Sequence, residues 1–254
     1  MRKSNPKLLV FLALMVSLLL STPMFSQSAD PAQEAFDQGL AALEKGNPAQ
    51  AVEKFTQALK LEPELDGAYF NRGVAFMRLK KWPEALADFG RVLEIDPENA
   101  MTYYNRGVVY SRQRQYPQAV SEYTQAMRYD RKDWRAWANR GNAFLEMGLY
   151  AEALDDYLQA AKLKPGTLEI QHNLGLAYLR VGEPEKALNQ ADKVLAKNPD
   201  YARAYYVRGE ALEKLGRNPE AAAAYRQFLH MGNPNTDAGL LETALHRLKG
   251  VEGK

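Results

Sequence analysis

The chain has 254 residues, of which 46% are apolar and 25% charged, a composition typical of folded rather than disordered proteins. It contains no cysteine, which excludes disulfides, a thiolate nucleophile, a zinc–thiolate site and a cysteine-linked lipid. Without the three basic residues at its start, the chain has 30 Lys and Arg and 31 Asp and Glu, a net charge of about −1. It therefore has no broad basic surface of the kind that binds nucleic acid, and we expect no nucleic-acid partner.

Residues 1–29 are predicted to be a signal peptide or N-terminal anchor. A basic start is followed by an apolar run at 8–20, which as a helix would span only about 20 Å, less than the roughly 30 Å of a bilayer core. Small residues at Ser26 and Ser28 suit cleavage after Ser28. We therefore expect export, to the periplasm if the source is bacterial. In the alternative, residues 22–25 lengthen the apolar run and the segment remains a membrane anchor.

After residue 30 the chain is dominated by strong helix formers, with Pro and Gly confined to recurring positions. Comparison of the chain with itself reveals a period of 34 residues: 66–73 aligns without gaps with 100–107 and with 134–141. A repeat of this length, built from helix formers, predicts an all-α solenoid of stacked helical hairpins.

Six units in phase begin at residues 32, 66, 100, 134, 168 and 202. Position 8 of each unit is glycine: Gly39, Gly73, Gly107, Gly141, Gly175 and Gly209. Position 20 is alanine: Ala51, Ala85, Ala119, Ala153, Ala187 and Ala221. This pattern resembles the tetratricopeptide repeat family. The resemblance implies a right-handed α-solenoid with six repeats over residues 30–236 and a capping helix and tail over 237–254.

The side chains of one repeat explain why two antiparallel helices fit together. Small residues at positions 8 and 20 let the helices approach closely, and the aromatic at position 24 fills the adjoining space. Repeat five departs from this pattern, with Gln171 at position 4 and Ala191 at position 24, so we expect it to be the least tightly packed. Asp237 is the predicted N-cap of the capping helix.

A second periodic pattern joins the two helices of a repeat. In repeats two to four an arginine at position 7 accompanies an acid at position 23: Arg72 with Asp88, Arg106 with Glu122, and Arg140 with Asp156. We predict ion pairs of structural role, each contributing roughly 0 to 1 kcal/mol if exposed.

Motifs of catalysis are absent from the sequence. The three histidines lack the i, i+4 spacing of a helical metal site, and there is no phosphate-binding loop, nucleophile elbow or zincin motif. Pairing two of the many carboxylates as acid and base would be arbitrary. The expectation is a protein that is not an enzyme and has no cofactor, no metal site and no small-molecule substrate.

The resemblance also implies where a ligand binds, because in this family first-helix positions 2, 5, 6, 9, 12 and 13 face a concave groove. Position 6 is asparagine in four consecutive repeats: Asn71, Asn105, Asn139 and Asn173. Their amides could hold the backbone of an extended peptide without reading its sequence. The alternative is that they are only solvated polar residues.

Aromatic and arginine side chains accompany these asparagines: Phe70, Tyr104 and Tyr206 at position 5, and Arg78, Arg112 and Arg180 at position 13. Both residue types anchor protein interfaces. The alternative for the aromatics is packing between first helices.

The expected function is a scaffold or adaptor that binds protein or peptide segments. The second hypothesis is an envelope assembly factor resembling pilotin-like proteins, although those are lipoproteins and this chain has no cysteine. An enzyme is the remote alternative.

Overall fold

The computed structural model describes residues 30–253, so the predicted signal peptide or anchor lies outside the described residues. Within this range every regular element is helical, as predicted. The helices are α1 (Pro31–Glu44), α2 (Pro48–Leu61), α3 (Asp66–Arg78), α4 (Trp82–Ile95), α5 (Ala100–Arg112), α6 (Tyr116–Tyr129), α7 (Trp134–Glu146), α8 (Tyr150–Leu163), α9 (Leu168–Arg180), α10 (Pro184–Lys197), α11 (Ala202–Lys214), α12 (Asn218–Met231) and α13 (Pro234–Glu252). None of them is long and apolar enough to cross a bilayer.

Successive helices pair as hairpins and each hairpin stacks on the next, which makes the chain an α-solenoid in the same 34-residue phase as the sequence. Proline begins the first turn of α2, α4, α6, α10 and α12, where its missing N–H costs little. The turn inside each hairpin places position 15 at positive φ. Glycine fills that position in four hairpins, whereas Lys80 and Arg114 adopt it at φ 58° and 59°.

Close contact with the position-24 ring explains the glycine at position 8 in every repeat except the fifth. A Cβ added to Gly39 would lie 2.5 Å from Cε1 of Phe55, and one added to Gly107 would lie 2.6 Å from Cε1 of Tyr123. These position-24 rings are buried in the core. A ring at position 24 therefore requires glycine at position 8, because any larger residue there would overlap the ring.

Repeat five is loosely packed within its hairpin and closely packed against repeat six. Where Ala191 leaves space, Val207 from the next repeat approaches, and a Cβ added to Gly175 would lie 3.0 Å from its Cγ1. Helices α9 and α11 are in more extensive contact than any other pair of successive first helices in the described range. α9 also buries six residues, more than any earlier first helix. The prediction is correct for the hairpin itself, because α9 and α10 are in less extensive contact than the two helices of any other hairpin, but the next repeat moves in to fill the space.

The C-terminal helix α13 begins before the predicted start at residue 237. Asn233 is its N-cap, with the side-chain oxygen accepting from the Asn235 N–H, and Pro234 occupies the first turn. Asp237 is thus inside the helix and 5% exposed, and it accepts a hydrogen bond from the Asn233 N–H. The capping role is corrected from Asp237 to Asn233 because proline after asparagine starts the helix earlier. α13 packs mainly on α12.

The predicted ion pairs across each hairpin are present. The shortest N–O distances are 2.7 Å for Arg72–Asp88, 2.9 Å for Arg106–Glu122 and 2.8 Å for Arg140–Asp156. The pairs are largely buried, with Asp156 3% exposed. Desolvation raises the pKa of Asp156, and the hydrogen bond from Arg140 opposes that rise. These pairs are therefore more buried than the exposed pairs on which the 0 to 1 kcal/mol estimate rests.

Candidate functional site

Two adjoining recesses lie along the first helices, where the sequence predicts the groove, and they share Asn142 and Glu169. The central recess has a volume of about 340 Å³ and includes Arg112 of α5 and Asn139 of α7. The C-terminal recess has a volume of about 740 Å³ and lies between α7, α9, α11 and the cap helix α13. The first helices of four successive units thus border one depression.

The asparagines of repeats two and three bond within their own helices. The Asn71 Nδ2 donates to the Gly67 carbonyl at 2.8 Å, and the Asn105 Nδ2 donates to the Met101 carbonyl at 3.0 Å. Both side chains are half-buried. Each amide nitrogen uses one of its two N–H groups in this bond, so the side-chain oxygen and the second N–H remain for a ligand.

The asparagines of repeats four and five instead connect neighbouring repeats. The Asn139 Nδ2 donates to the Tyr104 hydroxyl at 3.0 Å, and the Asn173 Nδ2 donates to the Asn142 Oδ1 at 3.0 Å. Asn142 also accepts from the Tyr157 hydroxyl at 2.7 Å, which orients its own amide nitrogen away from these partners. The four asparagines do not bond directly to one another, so any ladder they form requires a ligand.

Position-5 aromatics pack against the position-24 ring of their own repeat. The centroid distance is 5.9 Å for Phe70 with Phe89 and also for Tyr104 with Tyr123. Phe70 and Tyr104 remain half-buried, but Tyr206 is only 5% exposed. Tyr206 belongs to the core cluster that α12 and α13 complete, so it has almost no surface to offer a ligand. We therefore omit it from the candidate groove residues.

The three position-13 arginines differ in their hydrogen-bond and ion-pair partners. Arg78 donates to the Leu43 carbonyl at 2.7 Å, and Arg180 pairs with Glu210 at 3.0 Å. Arg112 is exposed and has no hydrogen-bond or ion-pair partner among residues 30–253. Arg112 is consequently the arginine of the predicted set that is most available to an incoming acceptor.

The open groove ends at repeat six. Val207 and Glu210, which occupy groove positions 6 and 9, are 1% and 2% exposed. Arg247 of α13 reaches Glu210 at 3.4 Å and Glu213 at 2.9 Å, and Arg180 reaches Glu210 from α9. The buried carboxylate of Glu210 is thus held between two arginines that join repeat five, repeat six and α13.

His172 occupies position 5 of repeat five, where four of the other five repeats have a Phe or Tyr ring. It is 8% exposed, its ring centroid lies 5.4 Å from that of Tyr201, and its Nδ1 has no hydrogen-bond partner. Desolvation lowers the pKa of His172 to about 4, and the positive charge of Arg203 adds to this effect. The imidazole is therefore neutral at pH 7.

Sequence reasoning missed several residues of the two recesses: Asn142, Glu146, Glu169 and His172. All four occupy groove positions, namely 9, 13, 2 and 5, so the repeat phase could have identified them. None of the four belongs to a residue type that recurs at its position in the way that the position-6 asparagines do. Within residues 30–253 no cluster of three or more His, Asp or Glu side chains could hold a metal ion.

Comparison with known proteins identifies the repeat. No curated protein sequence matches the chain. Similar solved structures include PilW, described as a widely conserved type IV pilus biogenesis factor, with 19% identity, TM-score 0.70 and coverage of 84% of this chain and 98% of that chain. Another is PilF of Pseudomonas aeruginosa, with 19% identity, TM-score 0.69 and coverage of 84% and 97%.

A third similar structure is YrrB, described as a TPR protein with an unusual peptide-binding site. It has 22% identity, TM-score 0.61 and coverage of 74% of this chain and 96% of that chain. At these identities the likeness shows the fold. The model of the tetratricopeptide repeat matches residues 36–100, 104–166 and 172–236, which is more than half of the sequence. On this match and the shared fold, the chain belongs to the tetratricopeptide repeat family.

Proposed function

We propose that this protein is a non-catalytic scaffold that binds extended peptide segments of other proteins in its concave groove. The observation that carries the proposal is the open depression around Asn142, where polar side chains of successive repeats border two adjoining recesses. An extended peptide presents a backbone donor or acceptor at every residue, and repeated amides suit such a ligand. The similarity to YrrB, described as having a peptide-binding site, favours the same use of the groove.

The test is a fourfold substitution by alanine of the asparagines at position 6: Asn71, Asn105, Asn139 and Asn173. A client is first identified by cross-linking in the native host, and its affinity is then measured for both proteins. Each hydrogen bond contributes about 0.5 to 1.5 kcal/mol net, so the four changes together should weaken binding by several kcal/mol. Circular dichroism should show unchanged helicity, because alanine is a strong helix former.

The matched control replaces four exposed amides on the second helices by alanine: Gln118, Gln159, Asn189 and Gln227. This variant should bind the client as the native protein does. Unchanged affinity of the groove variant, with unchanged helicity, would contradict a role for these asparagines in binding.

A second candidate is an assembly factor of an envelope machine, favoured by the likeness to PilF and PilW along 84% of the chain. A pull-down from the envelope fraction distinguishes the two candidates. One stoichiometric pilus or secretin partner supports the assembly factor, and several clients support the general scaffold.

The proposed location is the periplasm, after cleavage of the predicted signal peptide behind Ser28. Residues 8–20 provide the apolar stretch typical of a signal peptide, which motivates the proposal. Intact-mass measurement of protein from the native host should give a start near residue 29. A protein that begins at Met1 in a cytoplasmic fraction would contradict export.

A further inference from the structure

We propose that the C-terminal recess binds a basic side chain, lysine or arginine, of the peptide segment in the groove. The inference rests on the proposed peptide-binding function and adds the chemistry of one residue of the ligand. The recess has a volume of about 740 Å³ and opens beside Asn142, so a peptide crossing the central recess can direct a side chain into it.

The walls of the recess suit the stem of a long basic side chain. Leu145 of α7, Leu176 of α9 and Leu240 of α13 line it, together with the ring of Tyr201. Lysine and arginine bury their methylene groups along apolar surface while their charged ends reach polar groups. A short acidic side chain would leave most of this apolar surface uncovered.

The charges of the recess favour a cation. Glu146 and Glu169 both line it and are exposed, and neither pairs with a cation among residues 30–253. Glu146 accepts only a long hydrogen bond from the Tyr116 hydroxyl, at 3.3 Å. The lining cation, Arg203, already pairs with Asp237 at 2.7 Å. The recess therefore holds two exposed carboxylates without an ion-pair partner, which favour a basic ligand over an acidic one.

Neutral acceptors add to the two carboxylates. Asn173 uses its amide nitrogen as a donor to Asn142, so its side-chain oxygen remains an acceptor. His172 also lines the recess, is 8% exposed, and has a buried Nδ1 without a partner. Because its imidazole is neutral at pH 7, it does not repel a cation. An ammonium has three donors and a guanidinium five, and a site rich in acceptors matches them.

In the experiment the immobilised full chain is incubated with a degenerate pool of N-acetylated nonapeptides that lack cysteine. The peptides that the protein retains are then sequenced. The test variant is Glu146→Gln with Glu169→Gln. The matched control is Glu152→Gln with Glu185→Gln, which removes two exposed carboxylates on second helices. Wild type and control should enrich lysine or arginine at one position about tenfold, as expected for a charge-assisted contact. The test variant should retain a similar amount of peptide without that enrichment.

Four outcomes overturn the inference. If the wild type retains peptides without enrichment of basic residues, or if the enrichment persists in the test variant, the recess does not bind a basic side chain through these carboxylates. The groove proposal would not be affected by either result. A preference that appears only with free N-terminal amines assigns the recess to a chain terminus instead of a side chain. Retention of no peptide by the wild type rejects the inference and the groove proposal together.

Discussion

The burial of His172 predicts a specific dependence of stability on pH. Its folded-state pKa is about 4, below the usual 6.5, so between these values the unfolded chain binds the proton and the folded chain does not. The free energy of unfolding should therefore fall as the pH drops through this window. One pKa unit corresponds to about 1.36 kcal/mol, so the loss between pH 7 and pH 4 attributable to this residue is about 3 kcal/mol.

The substitution His172→Phe isolates the effect. It removes the titrating group and restores the aromatic that Phe36 and Phe70 provide at the same position of other repeats. At pH 7 the variant should be at least as stable as the native protein, because it no longer buries a nitrogen without a partner. Urea unfolding followed by circular dichroism at pH 7, 5 and 4 measures the difference. Identical pH dependence of the two proteins would refute the reasoning, because all other groups titrate in both.

Three further predictions concern stability, each measured by urea unfolding. Asp156→Ala should lower the free energy of unfolding by about 2 to 3 kcal/mol, because Arg140 loses a partner in a largely buried pair. A loss below about 0.5 kcal/mol would mean that the pair behaves as an exposed one. Lys80→Gly and Arg114→Gly should each raise stability by up to about 1 kcal/mol, because glycine adopts positive φ without a steric penalty; a decrease would count against strain at these turns. Glu210→Ala should cost about 2 to 3 kcal/mol and make α13 the first segment cut by protease, and protease resistance equal to the native protein's would contradict its role in holding that helix.

The sequence by itself determined the repeat, its phase and the contacts inside each hairpin. Glycine at position 8 and a ring at position 24 recur at fixed spacing, and the two helices that carry them are joined by a short turn. The Arg140–Asp156 pair could be predicted for the same reason, since both residues belong to one hairpin. Such contacts are local, so the 34-residue pattern contains nearly all the information they require.

Only the tertiary structure decided how closely neighbouring repeats pack. That packing in turn decides which of the predicted groove residues are exposed to a ligand. The alanine at position 24 of repeat five lets α11 approach α9, so Val207 is buried and Arg180 pairs with Glu210. Tyr206 is buried for a different reason, because α12 and α13 pack around it. Arg112, at the same repeat position as Arg180, remains free. The distance between two helices depends on the summed volumes of side chains from several elements, and equal positions in the repeat therefore have unequal surroundings.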